Sequence, residues 1–207
     1  MCGRYTLTCP DEAALIRSLP FDEFSETRIE FRPRYNIAPG QRSPVVYLAG
    51  GQPVVVDGVW GITRSGGGLL INARSETAHK SATFRRAFSD GRCLVPADGF
   101  LEWRKEGLVN QPYLFRREDG EVFLMAGLWL DGRYVVLTQD ADADVAEIHD
   151  RMPVVLGRDD AHPWLLEGKL ADPPALTKIP LSPRVNRADR DDPSCLDPLP
   201  QAEFDFD

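Results

Sequence analysis

The sequence predicts an α+β protein dominated by sheet: a single compact domain whose mainly antiparallel strands form one strongly curved, barrel-like sheet, with short helices at its periphery. Three observations predict it. Short apolar runs bounded by glycine and proline recur along the chain, the pattern of half-buried strands. The helix candidates between them are short, and several open with an aspartate able to cap the free amides of a first turn. No internal repeat and no linker interrupts the chain before residue 171, and 43% hydrophobic residues in a 207-residue chain suffice for one substantial core.

In chain order, PDEAALIRSL reads as a helix that begins at Asp11. SPVVYLAG and PVVVDGVWG read as successive strands, and GLLINARS as a third. ATFRRAF is a short helix. RCLVPADGFLEW follows as a strand region turned at Pro96, Asp98 and Gly99, then QPYLF, EVFLMAGLWL and RYVVLT as strands. DADVAEIHD is a short helix that Pro153 stops, MPVVL a strand and DAHPWLLEG the last helix. From residue 171 the chain turns rich in proline and charge, which predicts an irregular strap. The expected division is one domain over residues 1–195 and an acidic tail over 196–207.

Composition removes several classes. No stretch approaches the ~18 uninterrupted apolar residues of a membrane span, and the first residues carry no apolar run of signal-peptide type, so a cytoplasmic protein is expected. Cys2, Cys9, Cys93 and Cys195 stand far apart without a CxxC pair, and three dispersed histidines show no ligand spacing, so neither a disulfide framework nor a metal site is expected. No cofactor is expected either. The net charge of −8 speaks against non-specific nucleic-acid binding, but the acid is concentrated in QDADADVAEIHD and the tail. Arg4, Arg74, Arg85, Arg86, Arg92, Arg104 and Lys105 lie in the first half and allow a local basic patch.

Four residues stand out as chemistry. Cys2 follows the initiator methionine; once that is removed, an amine of ordinary pKa ~8 and a thiol of ~8.5 sit on adjacent carbons. A 1,2-aminothiol condenses with an aldehyde to an imine, and the thiol then closes a five-membered thiazolidine. The competing reading is an incidental packed cysteine. Asn72 and Arg74, two apart at the end of an apolar run, share a face if that run is a strand, and supply an amide and a phosphate-clamping guanidinium; the alternative is bonding to nearby backbone. Glu102, between Leu101 and Trp103, is either a general acid/base or an outward residue of a half-exposed strand. His149 closes a short helix, where the dipole would favour the imidazolium and raise its pKa. His79 and His162 read as structural, and Trp60, Trp129 and Trp164 as core or rim aromatics.

In order, MCGRY, RYNIAPGQ, the WG at Trp60, INARSET, RCLVPADGFLEW, AGLW, VLTQDA, IHDRMPVVL and RVNRADRDDPSCLDPL resemble the SOS response-associated peptidase (SRAP) family of abasic-site processing proteins over nearly the whole chain. The resemblance implies a compact sheet-rich α+β fold, removal of Met1, and capture of the ring-opened aldehyde of an abasic site in single-stranded DNA as a thiazolidine on Cys2. It implies that Asn72 holds the Cys2 amine, that Glu102 acts in Schiff-base chemistry, and that His149 assists sugar-ring opening. Arg4, Arg74, Arg85 and Thr138 are carried over as phosphate contacts, with Pro39 and Trp60 completing the DNA-binding set. A monomer is expected. The segment WGITRSGGGLLINARSET departs from the family: it is short, glycine-rich and lacks the tryptophans that wedge against bases, with Arg64 a candidate replacement. The competing functions are an N-terminal cysteine peptidase or amidase and a non-covalent single-strand binder.

Overall fold

The computed structural model describes residues 2–64, 66–107 and 109–199. Its centre is a ring of strands. Arg133–Asp140, Phe123–Leu130, Arg92–Ala97, Arg42–Ala49 and Gln52–Trp60 pair antiparallel in that order. A short parallel pairing of Arg133 and Tyr134 with Val59 and Trp60 then joins the first strand to the last. Val45, Val55, Leu94, Met125, Val135 and Leu137 are buried in the core together with Trp60, Tyr134 and Trp164. The apolar alternation of the sequence thus yields the expected curved sheet with helices at its margins.

A second, five-stranded sheet runs Thr177–Pro180, Val109–Arg116, Gly99–Glu106, Arg4–Leu7, Arg34–Ile37. The run RCLVPADGFLEW is therefore two strands in two sheets, the chain crossing between them at Asp98 and Gly99. Glycine is required at the crossing, since a Cβ on Gly99 would come 2.6 Å from Leu114 Cδ1 and 2.9 Å from Thr6 Oγ1. Five strands escape the sequence pattern: Arg4–Leu7, Glu26–Arg28, Arg34–Ile37, Ile62–Thr63 and Thr177–Pro180. Each is two to four residues long, too short to show an alternation of its own.

The helices fall near their expected places. Glu12–Ser18 starts after Asp11, whose Oδ1 accepts from Ala14 N at 2.7 Å. Asp142 caps Ala143–Ala146 by accepting from Val145 N at 2.9 Å. Arg85–Asp90 and Ala161–Glu167 complete the expected set, and Ser75–Ala78 is an additional turn of helix after the strand Asn72–Arg74. The proline-rich strap contains the strand Thr177–Pro180 and two 3-10 turns, Pro183–Asn186 and Pro193–Leu196. It folds over a second small core of Leu101, Leu114, Leu181, Val185 and Cys195. Asp197 O accepts from Ser182 N at 2.9 Å and Leu199 N donates to Pro180 O at 2.9 Å; the rest of the expected acidic tail, from residue 200, lies outside the described residues.

Asp98 clamps the N-terminal strand to the crossing. Its carboxylate accepts from Thr6 Oγ1 at 2.6 Å, from Thr8 Oγ1 at 2.7 Å and from Thr8 N. Hydrogen bonds to a charged acceptor contribute ~1.5–3 kcal/mol, so Asp98→Ala is expected to lower stability by about 2–3 kcal/mol, read as a fall in the urea midpoint at unchanged slope. An unchanged midpoint would refute the clamp.

Candidate functional site

The site is assembled by the pairing of the N-terminal strand with Gly99–Glu106, in which Arg4 lies opposite Leu101. Continued in the same antiparallel direction, the chain runs residues 2 and 3 beside Glu102 and Trp103. Cys2 is fully buried. Its backbone oxygen accepts from Asn72 Nδ2 at 2.8 Å, and its thiol points back to Arg4 O at 3.6 Å. Burial, reinforced by the charge of Glu102, pushes the thiol well above the usual range.

Asn72 and Arg74 occupy the strand Asn72–Arg74, which pairs in parallel with Arg133–Asp140 and buries Ala73 between them, so the two do share a face. Asn72 Oδ1 is buried and has no hydrogen-bond partner among the described residues. Glu102 is 2% exposed. Desolvation raises its pKa to about 7, with the positive amino terminus pulling downward and Asp150 pushing upward. Near neutrality this carboxyl is therefore both acid and base.

His149 differs from expectation. Its pKa is lowered, first by burial and then by the positive amino terminus, with Asp150 acting the other way. The preceding helix spans only Ala143–Ala146, too short to build an effective dipole at His149. The ring Nδ1 accepts from Arg151 N at 3.0 Å, which leaves the neutral ring its proton on Nε2. Asp150 Oδ1 lies 2.9 Å from the same Nδ1 and suits the protonated ring instead. An NMR titration is expected to place His149 below the ordinary imidazole range; a raised value would overturn the assignment of burial as the dominant influence.

Asn72 and Glu102, far apart in sequence, thus both act on Cys2, and Asp150, next to His149, acts on Glu102. The expected DNA contacts divide. Arg74 and Arg85 are exposed at the starts of two short helices, and Pro39 is half-buried in the turn after Arg34–Ile37. Arg4 is engaged inward: Nη1 donates to Asn36 Oδ1 at 2.8 Å and Val185 O at 3.2 Å, and the guanidinium lies 5.8 Å from the Trp103 ring centroid. Trp60 and Thr138 are corrected. Trp60 is fully buried, its Nε1 donating to Ile71 O at 2.9 Å and its ring 5.2 Å from Tyr5, so no face is available to a base. Thr138 is 1% exposed inside the ring strand Arg133–Asp140. The glycine-rich segment forms a hairpin of Ile62–Thr63 with Leu69–Leu70, with Arg64 exposed.

Two supports of the site were not singled out from the sequence, though Arg151 lies in IHDRMPVVL and Asn36 in RYNIAPGQ. Arg151 donates to Glu76 at 2.7 and 3.0 Å, to Asp140 Oδ1 at 2.5 Å and to Thr138 O at 2.6 Å, which fixes the backbone N–H that holds His149. Asn36, fully buried, donates to Val185 O, Arg187 O and Arg190 O at 3.2, 3.0 and 2.8 Å while accepting from Arg4. It ties the C-terminal strap to the N-terminal strand. A cleft of about 280 Å³ lined by Gly3, Arg4, Trp103, Asn110 and Asn186 adjoins the site. Two larger clefts, of about 580 and 530 Å³, flank Trp129 and contain none of the site residues. Among the described residues no group of three or more His, Cys, Asp or Glu is arranged to hold a metal, and no helix is long and apolar enough to cross a membrane.

Residues 1–188 match the family described as SOS response associated peptidase (SRAP). The chain is 35% identical over 185 residues to the abasic site processing protein YedK of Escherichia coli, covering 80% of this chain and 79% of the relative. It is 30% identical over 181 residues to the abasic site processing protein YoaM of Bacillus subtilis, covering 80% and 79%. A solved phage-related protein of Bordetella bronchiseptica superposes with a TM-score of 0.67 at 28% identity, covering 87% of this chain and 94% of that one.

Proposed function

The chain belongs to the SOS response associated peptidase family, and from that premise we propose that it processes abasic sites in DNA, trapping the lesion in a single strand as a thiazolidine on Cys2 after removal of Met1. The observation that supports this reading is the meeting of the Asn72 amide and the Glu102 carboxyl at buried Cys2, with Asp150, the neighbour of His149, acting on that carboxyl.

The chemistry balances with these groups and water. The deoxyribose hemiacetal opens when a proton reaches the ring oxygen as one leaves the anomeric hydroxyl: the imidazolium form of His149, its Nδ1–H paired with Asp150, delivers the first from Nε2, and solvent water accepts the second. The Cys2 amine adds to the aldehyde carbon, and loss of water gives the imine. Glu102, poised near pH 7, accepts the proton that the ammonium loses and returns one to the departing hydroxyl. The Sγ–H bond then breaks, sulfur bonds to the imine carbon and the proton ends on nitrogen, closing the ring. Asn72 Oδ1 is the acceptor that orients the amine. Phosphates are held locally by Arg74 and Arg85, which reconciles a net charge of −8 with DNA as partner. The protein acts as a monomer.

The deciding experiment is a denaturing gel of protein whose mass shows loss of Met1, incubated with a single-stranded oligonucleotide carrying one abasic site. A heat-stable shifted band absent with the intact oligonucleotide is expected. Its absence, with peptide cleavage abolished by thiol alkylation, would establish the peptidase instead.

A further inference from the structure

We infer that Glu76 is a positioning residue for His149, acting through the Arg151 guanidinium; this rests on the abasic-site reading, in which His149 is the acid that opens the sugar. Glu76 lies on the short helix Ser75–Ala78, which begins directly after the strand that carries Asn72 and Arg74. Its two carboxylate oxygens accept from Arg151 Nη1 at 2.7 Å and from Nη2 at 3.0 Å. The same guanidinium reaches Asp140 Oδ1 at 2.5 Å and Thr138 O at 2.6 Å. The Arg151 side chain is 12% exposed, Glu76 is half-exposed and Asp140 is 90% exposed. Water screens the Asp140 carboxylate, whereas the forked pair with Glu76 sets both the distance and the plane of the guanidinium.

What this pair holds is the end of a ladder. Arg133–Asp140 pairs with Arg151–Pro153, and Asp140 with Arg151 is the last pair of that register. Beyond it, Ala141 N donates to Asp150 O at 3.1 Å and the chain turns through His149. At this end the Arg151 N–H donates to His149 Nδ1 at 3.0 Å and so orients the ring. Asp150 Oδ1, on an exposed side chain, stands 2.9 Å from the same nitrogen and competes for it by accepting from Nδ1–H. The hydrogen bond at one ring nitrogen decides where the proton of the neutral ring resides. A firm Arg151 backbone keeps that proton on Nε2 and the ring in one orientation; a loose one yields the ring to a solvated carboxylate. Glu76 thus ties the segment that carries Asn72 to the turn that carries His149.

The test compares wild type, Glu76→Ala, Glu76→Gln, Arg151→Met and the Glu76→Ala, Arg151→Met double variant, with the urea midpoint of each recorded. One measurement, made without DNA, is the pair of 15N shifts of the His149 ring in its neutral form, which report the tautomer. The other is the rate of the heat-stable adduct with a single-stranded oligonucleotide carrying one abasic site. Wild type is expected to carry the proton on Nε2. Glu76→Ala is expected to show both tautomers and to crosslink about tenfold more slowly, since displacing a reacting group by ~1 Å can cost ~100-fold. Glu76→Gln, which keeps the length and one acceptor, is expected to lie between the two. Arg74 also acts on Glu76, so the double variant tests the route: it is expected to be no slower than Arg151→Met. One tautomer in both wild type and Glu76→Ala, or equal rates, overturns the positioning role, and so does a slowing by Glu76→Ala that persists in the Arg151→Met background. Absence of the adduct from wild type overturns the abasic-site reading instead, and the ring tautomer still decides whether Glu76 holds His149.

Discussion

Cys2→Ser is expected to abolish the heat-stable adduct while leaving one that borohydride can trap. Serine preserves the terminal amine and nearly the shape of the buried side chain, so the imine still forms on the aldehyde. Its hydroxyl is a far weaker nucleophile than sulfur and closes no stable ring, so heating hydrolyses the imine. Reduction of the imine to an amine before denaturation rescues the band. Acetylation of the amine, with the thiol intact, is expected to remove both bands, because sulfur alone gives only a reversible hemithioacetal. A full-strength heat-stable band from Cys2→Ser would refute the thiazolidine.

Glu102→Gln is expected to slow crosslinking by ~10²–10⁴-fold, the range for loss of a positioned acid or base, and to stabilise the protein in alkali. The sign follows from the raised pKa. Burial lifts Glu102 from its ordinary 4.5 to about 7. The stability contributed by the neutral, buried acid is complete below the unfolded value and is lost as pH rises through the folded one. Above pH 7 the folded chain carries a desolvated carboxylate at a cost of about 3 kcal/mol, which the neutral amide removes. The melting temperature of Glu102→Gln is expected to exceed that of wild type by ~5–10 °C at pH 8 and to match it near pH 4. Equal curves at pH 8 would show that Glu102 is not desolvated. A stability gain bought with activity is what a functional group in an apolar setting predicts, and a merely structural glutamate would show the opposite.

The strands with five or more alternating or apolar residues were legible because burial of one face dictates their pattern; Arg42–Ala49, Gln52–Trp60 and Phe123–Leu130 are examples. Arg4–Leu7 was not, although it follows Cys2 directly, because a four-residue strand offers no period and is fixed by long-range partners, Asp98 and the strands Gly99–Glu106 and Arg34–Ile37. The same limit explains the second sheet: RCLVPADGFLEW looks continuous, and only the crowding at Gly99 reveals the crossing. In the candidate site, Cys2, Asn72, Glu102 and His149 stood out in the sequence as residue types, and the fold brings Asn72 and Glu102 to Cys2. The direction of the His149 shift was not legible, since it depends on burial and on a terminus distant in sequence. Trp60 and Thr138 misled for a related reason: a motif shows that a position matters without showing whether it faces solvent.

The hub at Asn36 bears on the protein's synthesis. Asn36 joins Arg4, two residues from the reactive cysteine, to the backbone of Val185, Arg187 and Arg190, and Asp191 accepts from Tyr35 N and Asn36 N at 2.7 and 3.0 Å to complete the tie. At ribosomal speeds of about 5–20 residues per second, some 10–40 s separate translation of Cys2 from that of Asp191. The first residue made is thus among the last to be seated. On the proposed function, a nascent chain freed of Met1 carries its aminothiol exposed to any aldehyde in its surroundings, and only the finished polypeptide withdraws it to Asn72 and Glu102.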